Sequence, residues 1–381
     1  MLMGEILTQE QLRHVSEHVY SVEDWNSLLD PYMRVFWTKL QKVTPKALNG
    51  NVITVFGLSF NIISLVILMS YAPTATEKAP KWAYALAALA VFWYQAFDAL
   101  DGMQARRNLL ITQWQLSEIF DHTCDSVSAV CVGIQLAICL RIGDQPHLFL
   151  TYMLTVMFMF YTAHWQTYVT GIVRFGTLDV TESQLSLCLA YLLTAFFGPE
   201  VWTVKVVGFD VREIIIFSSV AMAIIKFANH FIFIWKRGYR SSVAGTSAVF
   251  PVVNIGVVFL LAVLTKTCTN YYEFQPCVFM MIFGLLEAKQ SCKLMIAYMS
   301  KSSVSSPDSI FLGPLSLLIN HLLGSPLSSQ LILWLVMVYS AMNLLHYFGA
   351  VSLQVSDVIG TPCFLPYGDA SKQNGDSRHQ E

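Results

Sequence analysis

Read for hydrophobic and polar positions, the chain alternates apolar runs of roughly 20 residues with short polar connections, the length an α-helix needs to cross a bilayer. The runs fall near residues 52–71, 82–106, 117–140, 147–171, 184–198, 214–235, 247–265, 277–299, 309–324 and 329–350, ten in all, and the fifth and ninth are short. Ahead of them, residues 1–31 mix Glu, Gln, His and Ser and read as solvated. Residues 32–48 set Met33, Phe36, Trp37 and Leu40 against Arg34, Lys39 and Lys42, the composition of a helix lying in the membrane interface. A short surface helix without a lipid role has the same pattern. After about residue 366 the chain is polar and reads as a disordered tail. The pattern predicts an all-α, polytopic transmembrane bundle of about ten spans with an N-terminal interfacial amphipathic helix.

Composition agrees. Of 381 residues, 55% are hydrophobic and 13% charged, and the mean hydropathy is +0.53, outside the range of soluble domains. The first long apolar run begins near Val52, so no cleaved signal peptide is expected and the first span acts as its own signal. A formal net charge of −2 without a basic stripe argues against nucleic acid as a partner. The eight cysteines lie mostly inside apolar runs and form no CxxC. Cys268 and Cys277 share one short predicted loop, where free thiols are expected over a pair. With ten spans both termini share a side, and that side collects Arg34, Lys39, Lys42, Lys46, Arg106, Arg107, Arg174, Lys236, Arg237, Arg240, Lys301, Lys372 and Arg378. The other holds Lys78, Lys81, Arg141, Lys205, Arg212 and Lys266, and the asymmetry makes the first side cytoplasmic.

Candidate chemistry concentrates between Asp98 and Asp125, where four aspartates sit at the edges of two apolar runs. An unpaired carboxylate in a membrane helix costs on the order of 3 kcal/mol, so the group requires compensation. Asp98 and Asp101 are three apart and Asp121 and Asp125 four apart, so each pair shares one face of its helix. Two such helices side by side make an all-oxygen box, which suits Mg2+ or Mn2+; zinc would ask for His and Cys at ligand spacing. Gly102 lets a ligand approach the backbone, Ala105 keeps that face shallow one turn later, and Arg106 offers a fork for phosphate oxygens.

The string D-x2-D-G-x2-A-R followed by D-x3-D resembles the signature of the class I CDP-alcohol phosphatidyltransferases. Two departures lie between the helices: Ser117 stands where that pattern has Gly, and the gap from Arg106 to Asp121 is two residues longer. HWQTYVTG, RFG and DVTE between His164 and Glu182, GYRSSVAGTS from Gly238, and YSVEDWNSLL near the N-terminus are similar to the choline/ethanolaminephosphotransferase branch. The resemblance covers about residues 19–250. It implies residues 1–51 as a cytoplasmic N-terminal segment, 52–240 as a catalytic core and 241–365 as additional helices. By the same likeness Asp98, Asp101 and Asp121 would bind the metal, Asp125 would be a fourth acid there or a base, and Gly102, Ala105, Arg106 and more weakly Asn51 would contact the cytidine nucleotide. The implied reaction joins CDP-choline or CDP-ethanolamine to diacylglycerol in the endoplasmic reticulum or Golgi membrane, with a homodimer as the implied assembly.

The proton acceptor stays open at this level. His122, with a reference pKa near 6.5, suits a base that neighbouring acids would favour, with Glu182 orienting or recharging it. His122 as a residue that only orients an aspartate, and Asp125 as the base, are the competing readings. His164, Trp165 and Tyr168 fit an aromatic belt or a site wall. Lys226, His230, Glu287, Lys289 and Lys293 fall at membrane depth, as polar pairs inside the bundle or a lining for lipid headgroups. Two rival classes fit parts of this pattern. A cation or proton transporter explains the acids but gives Gly102, Ala105 and Arg106 nothing to do; a catalytically weakened relative is suggested by Ser117 and the longer linker.

Overall fold

The computed structural model describes residues 6–23, 27–107, 114–236, 242–305 and 307–366. The polar tail, with Lys372 and Arg378, and also Arg237 and the start of the GYRSSVAGTS string with Arg240 lie outside the described residues. In chain order the helices are α1 (Gln9–Ser16), α2 (Asp30–Val43), α3 (Gly50–Tyr71), α4 (Lys81–Arg107), α5 (Trp114–Leu140), α6 (Pro146–Thr170), α7 (Val180–Phe197), α8 (Val211–Lys236), α9 (Phe250–Cys268), α10 (Tyr271–Phe274), α11 (Pro276–Met299), α12 (Leu312–Leu322) and α13 (Ser329–Ile359). Two-residue strands only tie loops together, as where β1 (Val22–Glu23) pairs in parallel with β2 (Val173–Arg174).

Each apolar run of the sequence is a helix here, from α3 to α9 and α11 to α13. Seven of them, α3 to α7 with α9 and α13, are long and apolar enough to cross a membrane. Helices α8 and α11 have the length, 26 and 24 residues, and carry ionisable groups inside it. Helix α12 is different. Its 11 residues reach only about 17 Å at 1.5 Å each. The chain leaving α11 turns back along it: Lys293 Nζ donates to Ser305 O at 2.8 Å, and Lys289 Nζ lies 2.5 Å from Asp308. Helix α12 therefore starts already part-way into the bundle, and it ends where Asn320 donates to the Tyr271 hydroxyl at 2.8 Å, on the far face.

The interface helix expected over residues 32–48 runs from Asp30 to Val43. Pro45 ends it, because the residue before proline is pushed to extended backbone and Thr44 has ψ 130°. Trp37 is buried and Phe36 packs on Phe92 of α4 at 5.5 Å.

Helix α11 is buried along nearly its whole length and packs on α5, α6 and α13. A Cβ on Gly284 would sit 2.2 Å from Val130 Cγ1, so only glycine lets α5 and α11 approach this closely. Residues before and after 240 thus share a single core. Both described ends lie on one face: Ile6 and Leu7 N–H groups donate to Gln354 Oε1 of α13, and Asn51 Nδ2 donates to Cys363 O. Cys268 and Cys277 are both free thiols, the first exposed and the second buried.

Candidate active site

The last two turns of α4 and the first turns of α5 converge on that face. Asp98, Asp101 and Asp121 each bring one carboxylate oxygen within 4.8 Å of the others, and a ring nitrogen of His122 is grouped in the same way with one carboxylate oxygen each of Asp121 and Asp125. Spacing is the cause. The pair on α4 and the pair on α5 each occupy one stripe, and α3 wedges against both helices and turns the stripes toward each other.

Two neutral donors hold the carboxylates. Thr54 of α3 donates its hydroxyl to Asp101 Oδ2. Tyr94, one turn before Asp98, donates to Asp125 Oδ1 at 2.5 Å with its ring fully buried. Asp121 Oδ1 and His122 Nε2 are buried and have no hydrogen-bond partner among the described residues. A cluster of carboxylates with an orphaned buried oxygen fits a hard divalent cation such as Mg2+ or Mn2+, which takes oxygen ligands and tolerates a carboxylate-rich shell.

His122 also faces His164 of α6, ring centroids 5.1 Å apart and perpendicular. His164 Nδ1 lies 3.1 Å from Phe160 O of its own helix, which assigns the proton on that ring to Nδ1. Neighbours in the same string are structural: Trp165 Nε1 donates to Ala248 O at 2.8 Å and the Tyr168 hydroxyl to Ser302 O at 3.1 Å. Both are buried, so the belt reading does not hold for them.

Gly102 and Ala105 continue the stripe of Asp98 and Asp101. A Cβ on Gly102 would meet only the Arg106 side chain, Nη2 at 3.5 Å and Cζ at 4.0 Å, so among the described residues the space beside that backbone is otherwise open. Arg106 is exposed and lies 6.0 Å from the Trp114 ring. It borders a cavity of about 540 Å³ shared with Arg34, Trp37, Met103 and Phe175. Asn51 sits at the start of α3 with its amide nitrogen committed to Cys363 O and its Oδ1 buried without a partner.

Glu182 is not positioned as the sequence reading had it. Its Oε1 accepts from the Ser27 hydroxyl and, at 3.0 Å, from Leu29 N, while Oε2 accepts from Asp179 N at 2.9 Å. No hydrogen bond joins it to His122. The carboxylate closes a capping box on α7 and anchors the segment that leads into α2. Sequence reasoning also passed over Tyr20 and His18. Burial pushes the Tyr20 phenol up, Asp121 and then Glu118 push it further, and its ring meets Trp114 edge-on at 5.8 Å. His18 Nε2 lies 3.1 Å from Glu118, one turn before His122. The only signal for Tyr20 was its place at the head of the YSVEDWNSLL string, and His18 lies two residues before that string.

Fold and site together define an integral membrane protein whose spanning helices gather carboxylates into a cluster that could hold a metal ion at one face of the bundle. No protein-family model matches the chain. It is 39% identical to cholinephosphotransferase 1 of Bos taurus over 93% of this chain and 88% of that protein. It is 40% identical to cholinephosphotransferase 1 of Xenopus laevis over 93% of this chain and 90% of that one. An uncharacterised class-I CDP-alcohol phosphatidyltransferase family protein of Dictyostelium discoideum is 26% identical over 95% and 88%. The chain belongs to the cholinephosphotransferase family of class-I CDP-alcohol phosphatidyltransferases.

Proposed function

We propose that the protein transfers phosphocholine from CDP-choline to the hydroxyl of diacylglycerol, releasing CMP and forming phosphatidylcholine. One observation carries the reading: Asp98, Asp101 and Asp121 converge to within 4.8 Å in a chain similar to cholinephosphotransferases over nearly its whole length. Asp98, Asp101, Asp121 and Asp125 would hold Mg2+ or Mn2+. When bound, such an ion neutralises diphosphate charge and orients it for in-line displacement.

The remaining work falls to the chain. The diacylglycerol oxygen attacks the phosphorus that bears choline, the bond from that phosphorus to the CMP oxygen breaks, and the hydroxyl proton must be taken up. His122 is the acceptor in this reading, because its Nε2 is buried and unpartnered whereas Asp125 is already bonded to Tyr94. Gly102, Ala105 and Arg106 would admit the cytidine nucleotide along the open stripe of α4, with Asn51 a more remote contact. Glu182 would act at a distance, by holding the Ser27–Leu29 segment that leads into α2 and the Arg106 cavity. CDP-ethanolamine is the natural second donor, since it presents the same diphosphate. The positive-inside asymmetry supports a cytoplasm-facing site in an endoplasmic reticulum or Golgi membrane, where water-soluble CDP-choline would reach it. A homodimer is proposed from the family likeness.

The test is CMP release by the full-length protein reconstituted in liposomes, comparing CDP-choline with CDP-ethanolamine. CMP should form only with a divalent cation and diacylglycerol present, and Asp121→Asn should abolish it. CMP release indifferent to the cation or to that substitution would refute the reading.

A further inference from the structure

On the side of α11 away from the carboxylates lies a second polar centre that the reaction does not use. Lys289 and Lys293 project from α11 toward the returning loop and α13, with side chains 7% and 11% exposed. Between them stands one carboxylate, Asp308, 4% exposed, at 2.5 Å from Lys289 and 2.9 Å from Lys293. Lys289 also donates to Asn343 Oδ1 at 2.6 Å, and Lys293 to Ser305 O at 2.8 Å. Each ammonium has three donors and two hydrogen-bond partners among the described residues; Lys289 also lies over the Tyr347 ring at 5.3 Å, so Lys293 is the one with a donor to offer. Two buried cations share one anion, and the unmatched positive charge is expensive at this depth.

Space for a counter-charge is present. The three groups line a cavity of about 400 Å³ together with Asn343, His346 and Tyr347 of α13, and Ile6 and Leu7 form part of its wall. The wall is polar on the lysine side and apolar along Ile6, Leu7, Ile296 and Val304. Its rim at Ser303, Ser305 and Pro307 is exposed. On α13 the neighbours of Asn343 and His346 are Met342 and Leu345, 60% and 58% exposed, on a surface of the apolar kind that faces lipid. The cavity thus joins an excess of positive charge to a mouth beside the hydrocarbon.

We propose that Lys293, backed by the charge of Lys289 and by Asn343, which is itself held by Ser309 at 2.9 Å, forms a binding site for the phosphate of an anionic phospholipid, entered from the membrane along α13 and walled by the N-terminal residues Ile6 and Leu7. A free phosphate ion has the same chemistry at the lysines but no use for the apolar wall.

The full-length protein is assembled in nanodiscs of phosphatidylcholine doped with phosphatidic acid, and retained lipid is read by native mass spectrometry. In parallel, inorganic phosphate is titrated against the melting temperature in neutral detergent. Two substitutions remove the charge excess by opposite means. Lys293→Met leaves a balanced Lys289–Asp308 pair, and the isosteric Asn343→Asp supplies a second anion without deleting either lysine, so neither strands a buried charge. Retained phosphatidic acid should fall about fivefold to tenfold in both, the loss of a charge contact, and Lys293→Arg should keep it. A phosphate-dependent rise in melting temperature, present in the parent and absent from both variants, would establish the anion site with the free ion as its source. Phosphatidic acid retained equally by parent and both variants overturns the proposal, as does the absence of both lipid retention and a phosphate response in the parent.

Discussion

Replacing Tyr94 with Phe removes one hydroxyl from a fully buried ring and leaves its shape intact. What is lost is the 2.5 Å hydrogen bond to Asp125 Oδ1. A bond to an ionised group contributes about 1.5–3 kcal/mol, and at about 1.4 kcal/mol per decade that corresponds to about a 10- to 150-fold change in an equilibrium constant. The proposed role of Asp125 decides where the loss appears. If Asp125 is a ligand, its orientation is part of the metal site, and loss of a supporting partner lowers metal affinity about 10- to 100-fold. CMP release titrated against Mn2+ should then show half-saturation moved up by that factor, with kcat largely recovered at saturating metal. If Asp125 were instead the proton acceptor, Tyr94→Phe would lower kcat at every metal concentration and leave the half-saturation point where it was. That second pattern would refute the assignment of the base to His122.

Two structural predictions use the same protein. Gly284→Ala forces a Cβ into Val130 at 2.2 Å and should cost about 1–3 kcal/mol by overpacking, read as a lower melting temperature, with Gly284→Ala/Val130→Ala recovering most of it. On the opposite face Glu77 accepts from Thr74 N at 3.2 Å, the Thr74 hydroxyl at 2.8 Å and Thr76 N at 3.3 Å. Burial alone would raise its carboxyl; the Thr74 and backbone bonds outweigh burial and hold it below the ordinary 4.5. A depressed folded value means stabilisation fully present above that ordinary value and lost as pH falls through the lower one. Glu77→Gln should therefore lower the melting temperature at neutral pH by the equivalent of no more than about 1 kcal/mol, the group being partly open to solvent. The difference from the parent should shrink in acid; one that grew in acid would contradict the sign.

The acids were legible because carboxylates three and four apart in apolar helices have few other uses, and their convergence needed only that α4 and α5 be neighbours. Tyr94 shares the helix and the stripe of Asp98 one turn earlier, yet tyrosine in an apolar run looks like ordinary core until its hydroxyl is seen to point at Asp125. Thr54 comes from a third helix and Tyr20 from a segment 101 positions before Asp121, and no local period links such residues. Glu182 illustrates the reverse error. A carboxylate near the site by sequence proximity to a span end was instead consumed by local capping, which Asp179 and Glu182 three residues apart at a helix start had signalled. Helix α11 was placed within a residue by its apolar run, but its central position in the bundle was not legible. Glu287, Lys289 and Lys293 lower its hydropathy, so the most buried helix of the bundle reads as one of the least apolar.

The cost of gathering the acids explains why the surroundings of the site are built as they are. Unit charges no more than 4.8 Å apart repel by about 3–4 kcal/mol or more at an effective dielectric of 20, and three carboxylates, when ionised to receive a cation, make three such pairs. The hydroxyls of Thr54 and Tyr94 return only about 1.5–3 kcal/mol each. Packing must therefore hold the ends of α4 and α5 together against a deficit of several kcal/mol, and the structure shows where that force comes from. Gln104 Nε2 is locked to Pro45 O, Lys46 O and Leu48 O at 2.7–3.2 Å, and Arg107 Nη1 to Gln41 O and Thr44 O at 2.8 and 3.2 Å. Gln115 Nε2 is tied to Ser16 O and His18 O, both at 3.0 Å. These bonds clamp the last turn of α4 and the first turn of α5 to the N-terminal segments from outside. A site held open by repulsion and shut by its frame is already shaped when a divalent cation arrives, so little of the binding energy of the ion goes into rearranging its ligands.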